Sequence, residues 1–176
     1  MVPDGDPKRP RVAVVTGGAS GIGAAVIAGL VNAGYVTASL DWAAEEKVSS
    51  HGLSISADVR DPESVERAVS RVLSTFGRID VLVNCAGVGL TKAFLETSIS
   101  DWNRVVGVNL TGTFLVSQCV ARWMAHAGSG AIVNVGSTAT VLGTPGQTAY
   151  AASKGAVVVA SGSADAPIAV KRPVVG

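Results

Sequence analysis

The sequence predicts an α/β protein: a parallel sheet with helices on both faces. Three observations carry this. Short apolar runs alternate with helical patterns five times along the 176 residues. The runs are continuous stretches of Val, Ile, Leu and Ala rather than in-out alternations, as strands buried on both faces require. The residues capable of chemistry fall at the carboxyl ends of those runs, where open parallel sheets place their ligands.

The elements follow in order. Residues 1–10 hold three prolines and predict a disordered tail. RVAVVTG (11–17) is a buried strand ending in glycine. Residues 21–33 form a helix with Ile22, Val26 and Leu30 on one face. VTASLD (36–41) is the second strand, a short polar helix spans about 43–50, and LSISADV (53–59) is the third strand. Asp61-Pro62-Glu63 is an N-cap, a proline at the first helical position and an acid in the first turn. Val65, Ala68, Val69, Val72, Leu73 and Phe76 then trace one helical face, which Gly77 closes. IDVLVN (79–84) is the fourth strand. Ser98 and Asp101 form a capping box opening a helical stretch to about 126, with a break near Gly112. AIVNVGS (131–137) is the fifth strand, and another helix starts near 148.

The totals bound the function. Hydrophobic residues make up 48% and charged residues 15%, with mean hydropathy +0.41, which excludes a disordered chain. A net charge of +1 provides no field for nucleic acid or a membrane surface. No segment approaches the ~20 apolar residues of a membrane span, and the first ten residues hold no signal-peptide core. Cys85 and Cys119 lie 34 apart with no CxxC and no histidine at metal spacing, so they read as reduced thiols in a cytoplasmic protein without a metal site. His51 and His126 read as surface residues. There is no internal repeat and no linker, so the chain is one domain.

The chemistry begins at TGGASGIG (16–23). Gly17, Gly21 and Gly23 lack a Cβ, which lets the backbone turn tightly and approach a ligand. Ser20 and Ile22 lie with them at the start of the helix, whose free N–H groups suit a pyrophosphate. The spacing is neither G-x-G-x-x-G nor a P-loop, and a ligand-free connector is the bland reading. Asp41 ends the second strand 18 residues past Gly23. A carboxylate there accepts the hydroxyls of an adenosine ribose and repels a 2′-phosphate, favouring NAD over NADP; a simple cap is the alternative. Tyr150 and Lys154 share one helical face at i, i+4. A free phenol, with pKa ~10, is a poor acid-base group at neutral pH. An ammonium beside it favours the phenolate, so Tyr150 could exchange a proton with an alcohol oxygen.

Together and in this order, TGGASGIG (16–23), NCAG (84–87), VNLTG (108–112) and Ser137 followed 13 residues later by Tyr150-x-x-x-Lys154 resemble the short-chain dehydrogenase/reductase family. The likeness covers roughly residues 11–156, and Cys85 departs from the second Asn frequent there. The resemblance implies a Rossmann-like, doubly wound, three-layer sheet of strand order 3-2-1-4-5, normally extended by strands 6 and 7. It implies hydride transfer between NAD and the alcohol or ketone carbon of a small neutral substrate. By position Tyr150 is the general acid/base, and Lys154 holds the nicotinamide ribose and assists Tyr150. Ser137 hydrogen-bonds the substrate oxygen. Asn109 holds the helix geometry and a proton-carrying water. Asn84, Ala86 and Gly87 line the ribose side, and Asp58 and Val59 contact the adenine. Family members are usually homo-oligomers.

After Lys154 the family pattern fades. Val157-Val158-Val159 is followed by Ser161-Gly162-Ser163, poor helix material. Strands 6 and 7 and a substrate-covering helix have no room, so the expected fold lacks them, and the chain reads as shortened at the C-terminus. The catalytic domain spans 11–160, and 161–176 is an irregular tail. The fifth strand is left as a sheet edge unless residues 164–176 cover it. Two functions stay open: an NAD-dependent oxidoreductase, and a truncated, non-catalytic NAD-binding remnant. Intact Asn109, Ser137, Tyr150 and Lys154 favour the first.

Overall fold

The computed structural model describes residues 9–49, 52–163 and 169–174. The predicted disordered tail and His51 therefore fall largely outside the described residues. The strands are β1 (Val12–Thr16), β2 (Val36–Asp41), β3 (Lys47–Ser49), β4 (Gly52–Ser56), β5 (Val81–Asn84), β6 (Ala131–Val135) and β7 (Ala169–Val174). The helices are α1 (Gly21–Asn32), α2 (Pro62–Phe76), α3 (Ile99–Val106), α4 (Thr113–Ala127), α5 (Ala139–Leu142) and α6 (Thr148–Ser163). The sheet order is β3-β4-β2-β1-β5-β6-β7. Its centre, β4-β2-β1-β5-β6, is the expected 3-2-1-4-5 arrangement, parallel throughout.

Strand parity sorts the two faces. Val12 and Val14 of β1, Ala38 and Leu40 of β2, Leu82 of β5 and Ile132 of β6 pack against Val65, Val69 and Val72 of α2 and Val116, Val120 and Met124 of α4. Each fully buried Val or Leu here contributes ~1.5–3 kcal/mol over exposure. Ser39, of opposite parity, lies beside Gly18 and Ile27, which puts α1 on the other face. Ile22 does not join the predicted face of α1. It stands 63% exposed in the first turn, and Gly23 is the buried residue there.

The predicted helix boundaries of α2 are built as the sequence implies. The Asp61 carboxylate accepts from Glu63 N–H, and Gly77 ends the helix at φ 76°. The Ser98–Asp101 capping box is formed in both directions. The break expected near Gly112 is a π-helical segment, Gly107–Gly112, joining α3 to α4. There Gly112 lies so close to Val59 that a Cβ would stand 2.6 Å from its Cγ2.

Two expectations are corrected. The polar helix at 43–50 is absent: Lys47–Ser49 instead pair antiparallel with β4. Eight residues with adjacent Glu45 and Glu46 make a weak helix, whereas β4 offers an unpaired edge to β-branched Val48. Second, the described residues of the expected irregular tail 161–176, namely 161–163 and 169–174, are regular. Helix α6 runs through Ser163, and β7 pairs parallel with β6, Ala131 opposite Ala169 and Ile132 opposite Val170. A sixth parallel strand is therefore present, and β6 is not an edge. Pro173 falls where the register slips, between the Val133–Lys171 and Val135–Val174 pairs, the kind of site where a strand tolerates a residue without an N–H.

Candidate active site

The carboxyl ends of β1, β2, β4, β5 and β6 gather the predicted residues along one edge of the sheet. The loop after β1 is shaped by three glycines with different duties. Gly17, at φ 67°, faces the loop after β5, where a Cβ would stand 2.8 Å from Ala86 Cα. Gly23 leaves no room at all, since its Cβ would be 2.1 Å from Gly17 O. Gly21, at φ 53°, faces open space. Ser20, the N-cap of α1, makes no side-chain capping bond, and the first turn holds no acid. The first amides of α1 thus lack a side-chain acceptor beneath a cleared, exposed surface, and an anionic pyrophosphate fits that surface.

The Asp41 carboxylate, 8% exposed, accepts from Ala19 N–H at 3.1 Å and from Ala43 N–H at 3.0 Å. It ties the glycine loop to the turn after β2. One N–H on each oxygen leaves each with acceptor capacity for a ribose hydroxyl. Asp58, by contrast, is engaged by its neighbour. Arg60 forks onto both its oxygens, at 2.9 and 2.6 Å, and holds the carboxyl below its usual range. Val59, 7% exposed, is a core residue.

After β5 the chain turns under Thr16, whose hydroxyl oxygen accepts from both Cys85 and Ala86 N–H at 3.1 Å. Asn84 is 3% exposed and its amide points into the protein, donating to Ser117 Oγ at 2.9 Å and Asn134 Oδ1 at 2.8 Å. The Asn84 side chain thus faces inward, beneath the Cys85–Gly87 turn. Cys85 is half-buried, and burial pushes its thiol up to about 11, partly offset by the Lys154 ammonium.

Asn109, fully buried in the π segment, clasps the same loop. Its Oδ1 accepts from Val88 N–H at 2.8 Å, and its Nδ2 donates to Val88 O at 3.1 Å and to Ser153 Oγ at 3.0 Å. Ser153 adjoins Lys154, which is 5% exposed and donates from Nζ to Val135 O at 2.7 Å. Burial lowers the Lys154 pKa, with Cys85 acting the other way. Gly87 sits directly over this group: a Cβ there would lie 3.4 Å from Asn109 Oδ1 and 3.7 Å from Lys154 Nζ. Tyr150, half-buried, stands one turn before Lys154 on α6. Ser137 Oγ accepts from Ala139 N–H at 3.2 Å at the start of α5, leaving its proton to donate.

The structure thus brings Gly87, Asn109 and Lys154 together and assembles the glycine loop with Asp41. It turns Asn84 and Val59 inward and occupies Asp58. Thr16, Ser153 and the Val135 carbonyl are site-building groups the sequence reading did not single out. Thr16 alone carried a signal, as the hydroxyl at a strand end just before the glycines.

The family described as short chain dehydrogenase matches residues 11–172, beyond the 11–156 expected. The D-threitol dehydrogenase of Mycolicibacterium smegmatis is 41% identical over 159 residues, taking in 84% of this chain and 60% of that protein. A 3-oxoacyl-acyl-carrier-protein reductase of Thermotoga maritima is 38% identical over 157 residues, covering 84% and 64%. Among solved structures, NAD+-bound xylitol dehydrogenase superposes with TM-score 0.81 at 32% identity, over 88% of this chain and 64% of that one. The chain spans about 60% of the length of the first of these relatives.

Proposed function

Because this chain belongs to the short-chain dehydrogenase family, we propose that it is an NAD-dependent oxidoreductase acting on the alcohol or ketone carbon of a small neutral substrate. The observation that carries the reading is the meeting of Gly87, Asn109 and Lys154: a buried ammonium, 3.7 Å from where a Cβ on Gly87 would sit, one helical turn from a tyrosine. Burying a lysine is unfavourable without a task or a partner, and among the described residues this one has a single acceptor, Val135 O. Two of its three N–H donors are left to reach across Gly87.

NAD would be held by the amides of Ser20, Gly21 and Ile22, by Asp41 and by Lys154, and when bound it supplies the hydride acceptor or donor. Tyr150 moves the proton at the substrate oxygen, with Lys154 one helical turn away on the same helix. Ser137 donates its hydroxyl proton to the same oxygen and orients it. Asn109 keeps the Val88 loop and Ser153 in register beneath them. NAD rather than NADP is supported by the Asp41 charge and by Arg60, which is engaged by Asp58 instead of being open to a 2′-phosphate. A neutral substrate is supported by the segments beside Ser137 and Tyr150. Residues 138–147 hold no charge, and Lys92 is paired with Asp101 at 2.8 Å.

The test is reduction of NAD followed at 340 nm with a panel of small secondary alcohols, for the chain and for Tyr150→Phe. The expected loss is ~10²-fold or more, the usual worth of a general acid/base. Turnover that survives Tyr150→Phe contradicts the assignment. Absence of turnover beside intact NAD binding favours the non-catalytic alternative.

A further inference from the structure

Helix α6 is fastened to the sheet twice, and only one fastening lies in the site already described. Lys154 reaches the Val135 carbonyl of β6 at 2.7 Å. Seven residues on, two turns along the same helical face, Ser161 meets the neighbouring residue of β6: Asn134 Nδ2 donates to Ser161 Oγ at 2.8 Å. Asn134 and Ser161 are 6% and 7% exposed, and buried Val157 lies between the two fastenings.

The direction of this second contact is forced. The single hydroxyl proton of Ser161 goes to Val157 O at 2.7 Å, so its oxygen must accept. Asn134 must then turn its NH2 toward Ser161 and its Oδ1 toward β5. That oxygen accepts from Asn84 Nδ2 at 2.8 Å, and Asn84 Nδ2 also donates to Ser117 Oγ of α4 at 2.9 Å. The result is a polar ladder, Ser117–Asn84–Asn134–Ser161, whose donors run outward from Asn84 and which links α4, β5, β6 and α6. It lies under the Cys85–Gly87 loop, because Asn84 is the last residue of β5. Among the described residues Asn84 Oδ1 is buried without a hydrogen-bond partner, so the ladder hangs on the amide NH2.

We propose that Asn134 and Ser161 are positioning residues that fix the axial placement of α6 on the sheet, and thereby the placement of Lys154 under the nicotinamide half of the cofactor site. This rests on the proposed function above. One fastening leaves a helix free to pivot about it. Two fastenings, two turns apart, set both its height and its tilt. The pair acts through Lys154 and touches no ligand itself.

The experiment compares calorimetric affinities of the full chain for ADP, which contains only the adenosine half, and for NAD. In the unaltered chain NAD is expected to bind more tightly than ADP. Ser161→Ala and Asn134→Ala should each lower that NAD-over-ADP preference by about fivefold, the worth of one neutral hydrogen bond, while ADP affinity stays within about twofold. The double variant should lose no more than Asn134→Ala alone, which already removes the Ser161 contact along with the one to Asn84. Ser161→Thr, which keeps the hydroxyl, should restore the preference. A general loosening of the fold would weaken ADP as well and would not be rescued by threonine. If the singles fall equally for both ligands, or keep the preference, the inference is overturned. If the unaltered chain itself binds NAD no better than ADP, the proposed cofactor site fails first, and the positioning role goes with it. Circular dichroism identifies any variant that fails to fold, in which case the other single variant and Ser161→Thr decide.

Discussion

Neighbouring glycines in this chain have opposite roles, and a single added methyl tests them. At Gly23 a Cβ would stand 2.1 Å from the Gly17 carbonyl oxygen, backbone that cannot move without unseating the glycine loop. At Gly29, six residues along the same helix, a Cβ meets nothing within 4 Å. Gly23→Ala is therefore expected to lower stability by ~1–3 kcal/mol through overpacking. Gly29→Ala should raise it by ~0.5–1 kcal/mol by removing glycine's entropic penalty in a helix. Urea unfolding measures both; equal effects at the two sites would contradict the packing described. At this scale the sequence spoke clearly wherever the physics was local. Asp61 and Gly77 cap α2, and Ser98 with Asp101 forms a box, because capping depends on residues three or four apart. Ser161 was read only as poor helix material. Its partner, Asn134, lies 27 positions away, and no local pattern marks such a contact.

Elements were legible to the extent that apolar runs identify them. The five central strands and α1, α2, α4 and α6 follow from continuous hydrophobic stretches and 3.6-residue periodicity. The two mistaken segments, 43–50 and 161–176, are short and mixed, and at Lys47–Ser49 and Ala169–Val174 their conformation is decided by the strand that lies beside them. An open strand edge recruits Lys47–Ser49 on one side of the sheet and Ala169–Val174 on the other. The second recruitment can be checked. Removing residues 169–176 should leave the apolar β6 strand, Ala-Ile-Val-Asn-Val, as an unpaired edge. The shortened variant is then expected to sediment as higher-order species at concentrations where the full chain does not. Identical sedimentation of both would show that β7 does not protect that edge.

The whole molecule is an edge-on assembly. The glycine loop, Asp41, the Cys85–Gly87 turn, Ser137 and the α6 pair come from five separate stretches of sequence, and only the parallel sheet brings them to one rim. The sequence named most of these residues because each closes a strand or opens a helix. It did not show what holds Asn84, Val59 and Asp58, whose side chains meet Asn134, Gly112 and Arg60, contacts that no motif position marks. The central claim is an NAD site organised around the Asp41 carboxylate and the Lys154 ammonium. Calorimetric titration of the full chain with NAD and with NADP tests it most directly. The account predicts saturable NAD binding, NADP weaker by ~10-fold or more because a carboxylate repels its 2′-phosphate, and loss of that preference in Asp41→Ala. NADP binding as tightly as NAD, or a preference that survives Asp41→Ala, would contradict it.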